Sequence, residues 1–129
     1  MKPLSVGFLF FCLLLAPSAL EAQDKVADGK FWAASTFLVG ATIYDVESTY
    51  FALNRCEGGC KEGNPIMRPL IEKGRPWAYA FQGSMDAGVI YLGYNLKKRG
   101  HKIWYLPPVI VGAAHAAAGT WNIKFAMKF

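Results

Sequence analysis

The sequence predicts an all-α membrane bundle of three transmembrane helices preceded by an N-terminal signal or anchor helix. Three observations predict it. Apolar segments at about residues 31–53, 76–96 and 103–125 are each near the ~20 residues that a spanning helix needs. Trp32, Trp77, Trp104 and Trp121 all fall within the first or last few residues of a segment, joined by Tyr50, Tyr94 and Tyr105. Such rings form the interfacial belts of spanning helices. Each segment also carries an ionisable residue on a small-residue face: Asp45, Asp86 and His115.

Composition agrees with this without being extreme. Hydrophobic residues make up 53% and charged residues 18%, against about 45–50% and about 25% in globular chains. The 129 residues suffice for one domain. A net charge of +5 is spread over loops between apolar runs. That suits anionic lipid head groups and argues against a nucleic-acid partner.

Taken in order, residues 1–22 read as a signal peptide or an uncleaved anchor. Lys2 gives the basic start, Phe8–Ala16 a short apolar core, and Ala19 and Ala22 a small-residue exit. Phe11 before Cys12 speaks against lipidation there. A polar spacer leads to residues 31–53, which as a helix reach ~35 Å against a hydrocarbon core of ~30 Å. Residues 54–75 form a polar loop, and the basic turn KKRGHK separates the second and third segments. Val109–Ala118 shows no polar face, unlike a helix of a soluble bundle.

A cleaved signal puts the 54–75 loop in the cytoplasm. That side then holds eight Lys and Arg (Lys2, Arg55, Lys61, Arg68, Lys73, Arg75, Lys124, Lys128). The other side holds six (Lys25, Lys30, Lys97, Lys98, Arg99, Lys102). The positive-inside rule favours this orientation by that margin, and the dense KKR cluster pulls against it. Cys56 and Cys60, spaced C-x3-C, can close a small disulfide loop in an oxidising compartment or stay thiols in the cytosol. A zinc site would need two more ligands nearby, and the loop has no histidine, so neither a metal nor a cofactor is expected.

Helical spacing puts Asp45 on one face with Ala41, Ser48 and Ala52, with Thr42 and Thr49 alongside. Glu47 points elsewhere and reads as a carboxylate reaching for the surface. Asp86 is preceded one turn earlier by Gln82 and Gly83. His115 shares its face with Gly112, Gly119 and, two turns on, Asn122. Small residues let backbones approach closely. The economical arrangement therefore turns Asp45, Asp86, His115 and Asn122 towards one another as an intramembrane polar cluster. In the loop, Asn64 and Pro65 read as a helix N-cap and first position, although Pro69 removes a donor from the helix they would start. Glu62 and Arg68 flank that pair and can bond to each other.

The order D-x-x-S-T in the first span, E-x-N-P-x-x-R-P in the loop and H-x6-N late in the chain resembles a family of small bacterial membrane proteins. That family is catalogued only as a domain of unknown function. The matching positions are Asp45, Ser48, Thr49, Glu62, Asn64, Pro65, Arg68, Pro69, His115 and Asn122, within residues 31–125. The resemblance implies a multi-pass protein of the bacterial inner membrane and brings no activity with it. Ser84 in QGSMDAG and His115 in AAHAAAG loosely resemble rhomboid intramembrane proteases. The usual G-x-S-G is absent, however, and Ser84 lies about 200° from Asp86 at helical pitch.

These readings assign no catalytic residue. They lead to a non-catalytic structural or interaction component with a polar helix interface, partnered by the bilayer and by a membrane protein or a second copy. The alternative is a proton- or ion-handling subunit using Asp45, Asp86 and His115. An intramembrane hydrolase is the distant third.

Overall fold

A computed structural model describes residues 26–57 and 59–128. The leader read at residues 1–22 lies outside them. Among the described residues the chain is helical without strands: α1 (Gly29–Arg55), the short α2 (Arg68–Lys73), α3 (Arg75–Lys98) and α4 (Leu106–Ala126).

Local chemistry sets each boundary. Asp28 caps α1, its carboxylate accepting the Phe31 amide at 2.9 Å, so one orphan donor of the first turn is satisfied. Asn64 and Pro65 do not start a helix as the sequence suggests: α2 begins at Arg68 behind Met67, which has no side-chain cap, and the Asn64 side-chain oxygen instead holds the preceding turn, accepting the Ile66 and Met67 amides at 3.0 and 3.4 Å. Pro69 then falls in the first turn of α2, where a missing N–H costs nothing. It therefore does not spoil the short helix that the loop sequence otherwise suggests. Gly74 separates α2 from α3 at φ 110°, backbone that a side chain would strain. α3 closes with a Schellman motif. The His101 amide donates to Leu96 O at 3.0 Å and the Gly100 amide to Lys97 O at 2.9 Å, with Gly100 at φ 80°.

The third long helix begins at Leu106, three residues later than the apolar run. Pro107 and Pro108 occupy its first turn, and Ile103–Tyr105 form a turn before it, the Leu106 amide donating to Ile103 O at 3.0 Å.

α1 and α4 make the most extensive contact of the bundle, and glycine is the reason. A Cβ on Gly112 would stand 2.7 Å from the Phe37 ring and 3.2 Å from Leu38 Cα. One on Gly119 would stand 2.5 Å from the Tyr44 ring and 3.2 Å from Ser48 Oγ. An apolar cluster of Val46, Met67, Ile71 and Ala78 joins α1, α2 and α3 at the loop end. There Tyr50 donates its hydroxyl to Ile71 O at 3.1 Å.

Elsewhere the interior mixes apolar residues, among them Phe31, Leu38, Ala41 and Ala52, with polar ones. Ser35, Thr42, Ser48, Thr49, Gln82 and Asp86 are buried, while Phe37, Phe81, Met85, Tyr91, Ile110 and Trp121 are exposed. No helix among the described residues is long and apolar enough to cross a membrane. At ~1.5 Å per residue the 27, 24 and 21 residues of α1, α3 and α4 reach ~30 Å or more. It is their polar residues that lower the average.

Candidate functional site

The polar residues of α1 and α4 meet at one place. Asp45 Oδ2 lies 2.8 Å from His115 Nδ1. The Asn122 amide donates to Thr49 Oγ1 at 2.9 Å, and contacts Asp45 Oδ1 and Ser48 Oγ at 3.3 Å each. Ser48 gives its own hydroxyl to the Asp45 carbonyl at 2.9 Å. The side chains of Asp45 and His115 are both mostly buried, 16% and 17% exposed. Helix pitch explains the set: residues 45, 48, 49 and 52 line one side of α1, and 112, 115, 119 and 122 one side of α4. Gly112 and Gly119 bring the two backbones within reach.

Asp86 enters from α3 and is 4% exposed. The groups that face it are Thr42 of α1 and His115 of α4. Neither its Oδ1 nor the Thr42 hydroxyl makes a hydrogen bond of ordinary geometry, and the buried Ser35 hydroxyl is likewise without a partner. Asp45, Asp86, His115 and Asn122 thus share the bundle interior, with Asp45, His115 and Asn122 directly bonded and Asp86 beside them.

No family model, curated protein or solved structure matches this chain. The site is therefore read from its own geometry.

The loop residues lie apart from this network. Glu62 and Arg68 do bond, but through the backbone: Arg68 Nε donates to Glu62 O at 2.8 Å, while the Glu62 carboxylate accepts the Asn64 amide at 2.8 Å. Glu62, Asn64, Pro65, Arg68 and Pro69 together shape the turn into α2. That turn delivers Met67 and Ile71 to the apolar cluster. Cys56 and Cys60 are joined in a disulfide with Cα atoms 5.6 Å apart. Ser84 is exposed and donates to Ala80 O of its own helix, turned away from His115. Ser84 and His115 make no hydrogen bond to each other of the kind that a nucleophile–base pair requires.

Two further ties escape the sequence reading. Glu47 does not run alone to the surface. Its carboxylate holds Arg75 Nε at 3.1 Å and Nη2 at 3.2 Å, and accepts the Tyr79 hydroxyl at 2.7 Å. Arg75 also stacks on the Tyr50 ring, 4.4 Å from its centroid. The available signal was spacing: Arg75 and Tyr79 are four apart and face one partner. At the opposite end, Lys97 forms an ion pair with Asp28 and lies 4.5 Å from the Trp104 ring centroid. The Lys97 ammonium beside Asp28, with help from the Phe31 amide, holds its carboxyl below the usual range.

Among the described residues no three His, Cys, Asp or Glu side chains are placed to hold a metal ion.

Proposed function

We propose that this chain is a small multi-pass protein of the bacterial inner membrane, a non-catalytic structural or interaction component whose polar interior fixes how its helices pack. One observation carries the reading. Every exposed residue of 31–53, 76–96 and 106–123 is uncharged, while Asp45, Asp86, His115 and Asn122 turn inwards. Water-soluble bundles distribute their residues the other way round. Glu47, the half-exposed exception, is neutralised by Arg75. Aromatic rings gather where charges begin: Trp32, Tyr94 and Trp104 with Lys97 at one end, Tyr50, Trp77 and Tyr79 with Arg75 at the other. That supports interfacial belts.

In such a setting interhelical hydrogen bonds replace the hydrophobic effect as glue, and small residues set the approach. The Asp45–His115–Asn122 network over Gly112 and Gly119 fits both roles. The partners on this reading are the lipid bilayer and a further membrane helix, from another protein or a second copy. The Cys56–Cys60 disulfide supports placing the loop in an oxidising compartment, against the eight-to-six charge count.

Alkaline carbonate extraction of bacterial membranes holding the full chain tests the reading. Retention in the pellet is expected, and release into the supernatant would overturn it. On the same cells, an impermeant maleimide is expected to label Cys56 and Cys60 only after an impermeant reductant is added. Labelling that instead requires lysis would put the loop in the cytoplasm.

A further inference from the structure

The network between α1 and α4 satisfies its members, and the tie at each end of the bundle satisfies its own. Among the buried ionisable groups described, Asp86 is the exception. It is 4% exposed, and its Oδ1 has no hydrogen-bond partner. A carboxylate in that position is costly as an anion, so it carries a proton or meets a cation. The cations nearest the ends of its helix are already engaged, Arg75 with Glu47 and Lys97 with Asp28. The ionisable group facing Asp86 is His115 of α4, with Thr42 on the α1 side. His115 is in turn faced by Asp45 and Asp86. Because Nδ1 is the ring nitrogen that meets Asp45, Nε2 is the ring nitrogen left to take up a proton.

We propose that Asp86, His115 and Asp45 form an exchangeable proton-binding cluster in the middle of the bundle, with Asp86 as the group that loads and unloads. The proposal rests on the bilayer reading above for its setting. The ligand is a proton because a buried carboxylate facing an imidazole binds and releases one with no further group required. On loading, a hydronium ion gives its proton to Asp86: an O–H bond forms on the carboxylate and water is released. On unloading, that O–H bond breaks and the proton passes to Nε2 of neutral His115, leaving an imidazolium against the Asp45 carboxylate. Asp45 stabilises that imidazolium, and the imidazolium stabilises the Asp86 carboxylate just vacated.

Infrared spectra recorded through a pH titration, taken on the full chain in phospholipid vesicles and compared between wild type and variants at each pH, test the proposal. Wild type is expected to show a carboxylic-acid C=O band still present at neutral pH. The band is expected to vanish in Asp86→Asn, to move in Asp86→Glu, and to persist to higher pH in His115→Gln, where the facing cation is gone. Identical spectra for wild type and Asp86→Asn would overturn it. If Asp86→Asn loses its helical circular dichroism, Asp86→Glu decides, and an unmoved band overturns the proposal. Carbonate extraction is read separately, so release from the membrane would sink the bilayer reading while leaving the assignment of the band intact.

Discussion

The strength of the α1–α4 tie can be predicted contact by contact. Asn122 brings an amide nitrogen with two hydrogens to three oxygens, at 2.9 Å (Thr49), 3.3 Å (Asp45) and 3.3 Å (Ser48). At most two of these are full hydrogen bonds at once. On the proposed bilayer reading, where interhelical hydrogen bonds average about 0.6 kcal/mol and reach about 1.7, Asn122→Ala is expected to cost about 1–2 kcal/mol. Asp45 meets His115 at the shorter 2.8 Å, and a charge-assisted bond is about twice as strong as a neutral one. A double-mutant cycle on Asp45→Ala and His115→Ala should therefore give a coupling of about 1–2 kcal/mol. The cycle on Asp45→Ala and Asn122→Ala should give about half of that. Reversible unfolding in mixed micelles, followed by helical circular dichroism, measures both. Couplings below about 0.5 kcal/mol in both cycles, the level expected of independent sites, would refute a cooperative network.

Two other outcomes follow from the helix contacts. Gly112→Ala pushes a methyl against Leu38 Cα, which cannot swing aside as the Phe37 ring can. It is expected to cost about 1–3 kcal/mol, whereas Gly88→Ala meets nothing within 4 Å and is expected to gain up to about 1 kcal/mol in helix propensity. Equal midpoints for the two variants in the same unfolding assay would show that close approach is not what holds α1 to α4. Asp28 titrates lower in the folded chain than in the unfolded one, so its ion pair stabilises fully above the ordinary Asp range. That contribution is lost as pH falls through the lowered value. Because Asp28 is half-exposed, the effect is small. Asp28→Asn, which retains a capping oxygen, should flatten the acid limb of midpoint against pH, while Asp28→Ala should also lower the neutral-pH midpoint through loss of the cap.

The inner faces of the helices were legible because helix pitch is fixed. Once residues 31–53 and 103–125 are helices, Asp45, Ser48 and Thr49 share one side and Gly112, His115, Gly119 and Asn122 another. Two small-residue faces have every reason to meet. The five helix positions of the motif read in the sequence (Asp45, Ser48, Thr49, His115 and Asn122) all fall in this one network. The five loop positions serve a local turn instead, and the sequence could not separate these roles. The Glu47–Arg75–Tyr79 tie was hidden for a different reason. Glu47 lies off the small-residue face, so periodicity assigns it to the surface, and only the return of the chain through α2 and Gly74 brings Arg75 to it. The later start of α4 was signalled by Pro107 and Pro108, but an apolar run counted by hydropathy alone extends past such a stop.

The distribution of ties gives α3 an unusual mechanical standing. Lys97 fastens one of its ends to α1 through Asp28, and Arg75 and Tyr79 fasten the other through Glu47. The hydrogen-bonded connection at mid-length joins α1 to α4, with Asp86 of α3 beside it rather than bonded into it. A rod pinned at both ends cannot slide, but it can bow or roll. Asp86 sits near the centre of that span, where a given sideways force produces the largest displacement. Gaining or losing a single charge there would be felt as rotation of one helix against a fixed pair.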